Sequence, residues 1–315
     1  MPDVTETKTE AAVDAVAAPS AADAQSKDKP RSLWGDAWFD LRHRPMFWIS
    51  SILLVLLLVI AAFPGLFTGA NPRDGDLTNH FLTKPELGHL FQADWFGYDG
   101  QGRSIYARVV YGTRASIMVG VGVTAAVTLV GGLLGMLAGY FGGWLDSVIS
   151  RVTDIFFGIP FLLGAMVVLN AFTDRKVYVV ILALAFLGWT SICRVMRASV
   201  ITAKQADYVT AARALGAGTP RILFRHVLPN ALAPTIVVAT IALGGYISAE
   251  ATLSFLGLGL GEPTISWGID IAQGSQDIRD NPHALLFPAG MLSLTVFAFI
   301  MLGDAVRDAL DPKLR

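Results

Sequence analysis

Apolar residues in this chain come in long unbroken runs. They show neither the alternation of a half-buried strand nor the narrow stripe of a surface helix. Six stretches contain no Asp, Glu, Lys or Arg: residues 45–72, 115–145, 155–173, 177–193, 226–249 and 281–303. Each can cross a bilayer, because about 17–25 apolar residues span the hydrocarbon layer as a helix. The pattern predicts spanning helices at 46–63, 115–140, 147–170, 177–197, 233–257 and 284–303. The fold class is therefore all-α, a polytopic membrane protein with six transmembrane helices.

Polar segments divide these runs. Residues 1–30 are rich in Ala, Asp, Lys, Glu and Thr and hold no aromatic side chain, which predicts a disordered tail. Residues 31–111 read as an interfacial segment, the first transmembrane helix and a long external loop. The interfacial part, Trp34 to Leu41, mixes aromatics with polar groups directly before the first apolar run. Residues 112–315 form the main transmembrane domain.

Composition supports this class. The chain is 53% hydrophobic and 16% charged, with a mean hydropathy of +0.54, whereas soluble domains are about one-quarter charged. A soluble enzyme and a secreted disulfide scaffold are excluded. The net charge of −1 gives no reason to expect nucleic acid as a partner. The single cysteine, Cys193, lies in an apolar run and reads as a buried inert thiol. No secretory signal peptide is expected, because the first apolar run begins near Met46 behind a long polar stretch.

Charge also sets orientation. If the N-terminus is cytoplasmic, 16 of the 24 Lys and Arg residues fall on the cytoplasmic side. Six of them, Arg194, Arg197, Lys204, Arg213, Arg221 and Arg225, lie between helices four and five. The positive-inside bias thus puts both termini in the cytoplasm. In helix two, Gly131, Gly135 and Gly139 recur every four residues, a spacing that lets helix backbones approach closely. Packing within the bundle, against a homologous subunit or against a second copy would each use it.

The sequence lacks an engine of its own. It contains no Gly-Lys dipeptide and hence no phosphate-binding loop of the Gly-x4-Gly-Lys type. Gly257, Gly259 and Gly261 follow a membrane helix rather than a strand, so they are not a nucleotide fingerprint. His43, His80, His89, His226 and His283 show no metal-ligand spacing. Neither a catalytic residue, a metal site nor a cofactor site is expected. Glu250, near the end of helix five and beside Ser248, is the main ionisable group within a span. An intramembrane carboxylate pairs structurally, sits at the helix end or lines a substrate path, and these readings stay open.

The most informative stretch runs from Ala206 to Pro220. Asp207 is placed to cap a short helix, and Tyr208, Ala211, Ala212 and Leu215 then fall on one face. Gly216 suits the left-handed position that ends such a helix, with Arg213 in its last turn. Thr219-Pro220 opens a second short helix, which Pro229 is expected to stop after Leu228. The pair reads as a basic, amphipathic docking element, with a helix lying on the membrane surface as the alternative.

These residues resemble the cytoplasmic signature of binding-protein-dependent ABC transporter permeases: Glu-Ala-Ala, three residues, Gly, nine residues, Ile-x-Leu-Pro. Ala211, Ala212, Gly216, Leu228 and Pro229 match; Thr210 and His226 stand where the family has Glu and Ile. Segments 250–259, 266–268 and 303–312, with Gly97-x-Asp99-x-x-Gly102-Arg103 upstream, are similar to the second permease of dipeptide and oligopeptide importers. The resemblance implies a multi-pass bacterial inner-membrane protein that pairs with a homologous permease. Two ATPase subunits, which bind ATP and Mg, would dock on the amphipathic coupling helix between helices four and five. An extracytoplasmic binding protein would deliver the substrate. A nickel or other small-solute importer of the same family is the alternative; a membrane-embedded enzyme or sensor is the rival from another class.

Overall fold

The computed structural model describes residues 33–310, so the expected tail at 1–30 lies outside the described residues. Among the described residues, regular structure is helical throughout. A short helix α1 (Leu33–Arg42) precedes α2 (Pro45–Ala62), the first apolar span. A polar loop then leads into α3 (Ile105–Phe141). The chain continues through α4 (Gly143–Phe157), α5 (Phe161–Asn170), α6 (Val177–Ala203), α7 (Asp207–Ala214) and α8 (Thr219–Ile222). A π-helical turn at Leu223–Val227 joins α8 to α9 (Leu228–Phe255), and α10 (Trp267–Gln276) and α11 (His283–Leu310) complete the order.

Among the described residues, five long helices can cross a membrane: α2, α3, α6, the continuous Thr219–Phe255 unit and α11. The expected third span differs. It is split into α4 and α5, bent by 85° across Gly158-Ile159-Pro160. Pro160 cannot donate a backbone hydrogen bond, and the residue before a proline is pushed out of helical geometry, so the break falls here.

The second helix begins ten residues earlier than charge alone predicts. Ser104 caps it, its hydroxyl accepting from the Ala107 N–H at 3.2 Å. Two arginines follow within the helix and each has a partner. Arg108 pairs with Asp270 on α10. Arg114 donates to the carbonyls of Ala61 and Ala62 at 2.9 and 2.8 Å, closing the end of α2.

α3 and α6 form the spine, and the glycine repeat explains how. A Cβ on Gly131, Gly135 or Gly139 would stand 2.4, 2.4 or 2.7 Å from the carbonyl oxygen of Trp189, Cys193 or Arg197. Each turn of α3 therefore rests directly on the backbone of α6. Around this seam Val119, Val123 and Val127 pack with Leu184, Ile192 and Leu253 in the main core. The outward faces remain apolar, with Ile52, Val55 and Leu182 exposed, as suits helices solvated by lipid tails.

Candidate functional site

The two ends of the bundle are built differently. At one end α7 leaves the last turn of α6 and returns through α8 into the long fifth span. Val209 is its anchor, buried with Ile222, Leu223 and Val227 against Met136, Met196 and Val200. The rest of the helix faces outward: Tyr208, Ala211, Arg213 and Leu215 are exposed, Leu215 to 88%, and Ala212 is half-buried. Partial burial of the Tyr208 phenol pushes its pKa upward, so the ring stays neutral at physiological pH.

The end of α7 is fixed by backbone bonds. Gly216 N–H donates to Arg213 O at 3.0 Å and Ala217 N–H to Ala212 O at 3.0 Å. This is the paired closure that needs a left-handed residue, and Gly216 has φ of +81°. Open space surrounds the position where a Cβ would sit, so only backbone strain would oppose a side chain there.

Two sequence expectations fail here. Asp207 is the first residue of α7 rather than its cap: Ala206 holds the cap position and no side chain bonds to it. Its carboxylate still lies in the first turn, where the helix dipole favours it. Pro229 does not stop the second short helix. It occupies the first turn of α9, where its missing N–H costs nothing, and the π-helical turn carries α8 into the membrane span. Leu228 and Pro229 are thus the base of a continuous arm.

Ion pairs brace this end. Arg197 holds Asp146 with both oxygens engaged, and Arg194 reaches Asp154 at 2.8 Å, so α4 is tied to α6. Lys204 Nζ donates to Gly139 O at 2.6 Å, closing α3.

At the other end α10 folds across the bundle. Its Ser266 cap accepts from Ile269 N–H, and Trp267, fully buried, donates from Nε1 to Val109 O at 3.0 Å. Arg108 donates from Nε to Asp270 Oδ1 at 2.7 Å and from Nη1 to Pro72 O at 3.3 Å. Arg103 bonds Asp99 Oδ2 at 2.9 Å and Gln273 Oε1 at 2.6 Å. Glu250 lies beneath this layer, fully buried, accepting from Ser254 Oγ at 2.8 Å, with the buried Ser116 and Ser266 also close. Ser248 is placed elsewhere. It lines an open cavity of about 630 Å³ with Ser191, Tyr246 and Thr252. The two residues expected together on a path are therefore separated, one inside the subunit and one on its open face.

Sequence spacing passed over α10 altogether, although Ser266 before Trp267 is a capping signal. It also passed over Glu86, His89 and Asp94, whose ligand-type atoms lie within 4.8 Å of one another in the long loop. His89 Nδ1 is 2.6 Å from Asp94 Oδ2, and that bond pushes the imidazole pKa upward.

Residues 131–315, more than half the chain, match the family described as binding-protein-dependent transport system inner membrane component. The chain belongs to that family. Residues 32–85 match a second description, the N-terminal TM domain of oligopeptide transport permease C. The oligopeptide transport system permease protein OppC of Bacillus subtilis is 36% identical over 300 residues, covering 95% of this chain and 96% of that protein. The dipeptide transport system permease protein DppC of Alkalihalophilus pseudofirmus is 36% identical over 284 residues, 90% of this chain and 91% of its own. The glutathione transport system permease protein GsiD of Escherichia coli O6:K15:H31 is 36% identical over 291 residues, 91% and 93%. The protein is an inner-membrane permease subunit of an ABC importer, a transporter component rather than an enzyme itself. The permease thus combines a helical bundle, an outward-facing short helix and an open, largely apolar cavity edged by a few hydroxyls.

Proposed function

We propose that this permease forms half of the translocation path of an ATP-driven importer of short peptides. A homologous permease supplies the other half, and an extracytoplasmic binding protein delivers the solute at the α10 end. Two ATPase domains, which carry the ATP and Mg, dock on α7 in the cytoplasm. The observation that carries the reading is α7 itself. Val209 fixes it to the bundle, while Tyr208, Ala211 and Leu215 remain uncovered on a face where the alanines let a partner approach closely. The short Gly216 turn passes α7 into α8, which the π-helical turn and the Leu228-Pro229 base continue into the fifth span, so a push on α7 is delivered into the membrane as motion of α9. Relatives named for oligopeptides, dipeptides and glutathione support a peptide as the solute, since all three are chains of amide-linked residues.

The test uses the complete transporter in proteoliposomes. Leu215 makes no fold contact to lose, being 88% exposed. Leu215→Asp is expected to leave insertion and thermal stability within about 0.5 kcal/mol of wild type. It should reduce ATPase retention and ATP-driven peptide uptake at least about tenfold, as loss of a central apolar contact does at an interface. Full uptake with full ATPase retention would overturn the coupling role.

A further inference from the structure

The break in the third span exposes backbone at the middle of the bundle. It lies level with Gly188–Ser191, halfway along α6, against a cavity of about 350 Å³. Non-helical backbone at membrane depth persists only where protein covers it or where it lines a wet cavity. Here α5 begins without a side-chain cap, and the first backbone hydrogen bond comes from Gly164 N–H to Pro160 O at 2.9 Å. The N–H groups of Phe161, Leu162 and Leu163 are left without backbone acceptors among the described residues. They carry the positive end of the helix dipole.

A second observation points to the same place. Thr190 is 5% exposed and lines this cavity, yet its hydroxyl makes no hydrogen bond among the described residues. The residue is buried while its hydroxyl stays open to the cavity, where a ligand can use it. Ser191 presents a second hydroxyl there, and no carboxylate side chain lines the space. Asp154, one turn before the break, is engaged by Arg194, whose guanidinium also stacks over Phe157 at 3.7 Å. Phe161, Ser191 and Tyr246 border both this cavity and the larger one that holds Ser248, so the two adjoin.

We propose that the break between α4 and α5 holds the carboxylate of the solute in transit, between the free N–H groups of α5 and the hydroxyls of Thr190 and Ser191. The ligand class rests on the peptide reading above; the anion preference comes from the α5 N–H groups and the two hydroxyls, with no carboxylate side chain in the lining. The larger cavity would take the body of the peptide, while the carboxylate turns into the smaller one.

The experiment compares one radiolabelled dipeptide with its C-terminal amide in the complete transporter with its binding protein. The quantity read is the ratio of the two uptake rates. The binding protein's own preference is common to every variant, so it cancels between them. Thr190→Val keeps shape and removes the hydroxyl, and should lower the carboxylate-to-amide ratio about tenfold, the loss of one charge-assisted hydrogen bond. Thr190→Ser should restore it. Ser191→Ala, at an exposed position that cannot unfold the bundle, should lower the ratio in the same direction. A ratio unchanged in both Thr190→Val and Ser191→Ala, or equal slowing of both solutes, would overturn the subsite while leaving peptide transport standing. A wild-type transporter that moves neither solute would overturn the peptide reading, and the carboxylate as ligand with it.

Discussion

The α10 end and the α7 end of this permease are built in opposite ways. Around α10, charged side chains are turned inward and matched: Arg108 with Asp270, and Arg103 with Asp99 and Gln273, all buried or nearly so. Around α7, one valine is turned inward while a leucine, a tyrosine and an arginine face out. The first arrangement resists change, because separating a buried pair leaves a charge with no partner and little water. The second holds a helix by one buried side chain and leaves the rest uncovered. Rigidity and availability are therefore built at opposite ends, with the α3–α6 glycine seam between them.

The strongest way to break this contrast is Arg108→Leu. Asp270 would then be buried against an apolar side chain, at a cost of about 3–5 kcal/mol. The expected result is a large fall in monodisperse protein and thermal midpoint in detergent, partly rescued when Asp270→Leu is added. A single variant as stable as wild type would show that the α10 layer is held by packing alone. A smaller and purely local effect is expected at Gly216. Valine there must adopt a positive φ at about 1–2 kcal/mol, and it has open space around it. The bundle should unfold at the wild-type temperature while α7 is re-aimed and ATPase retention falls. Gly216→Asn, which tolerates that conformation, should retain most coupling. Equal behaviour of the two variants would mean that backbone strain is not the reason for glycine.

The smallest effect belongs to His89, which is solvent-exposed. Asp94, through its hydrogen bond and then its charge, with Glu86 behind it, holds the His89 pKa above the ordinary value. A raised pKa means the protonated pair steadies loop 86–94 fully below about pH 6.5, and that contribution fades as pH rises through the higher folded value. Protease nicking of the loop should therefore increase from about pH 6 to about pH 8 in wild type. In His89→Gln it should be flat. A flat wild-type profile would remove the pair from any account of the loop.

How far the sequence carries depends on whether a residue's role is local. Spans could be read because uncharged length is a property of the chain alone, and the α7 helix because its stripe and closing glycine lie within ten residues. The start of α3 was obscured by Arg108 and Arg114, whose partners are remote: Asp270 for one, the end of α2 for the other. Only those partners make charges tolerable there. The break at Gly158–Pro160 hid inside an uncharged run, since hydropathy does not distinguish one straight helix from two bent ones. Pro229 misled in the opposite way: a proline reads as a stop, but in a first turn it is compatible with continuation. Glu250 was legible as unusual, but its burial under α10 depends on a helix that the apolar pattern passed over.

The Arg108–Asp270 pair also has a history within each molecule's synthesis. The two residues are 162 positions apart, so the arginine emerges from the ribosome long before the aspartate exists. At about 5–20 residues per second, translation leaves roughly 8–30 seconds between them. Throughout that interval the start of α3 carries a guanidinium with no counter-charge from α10, and its seat at the membrane boundary is provisional. Completion of α10 is then a checkpoint: a chain truncated before residue 270 has a third helix that inserts without being locked.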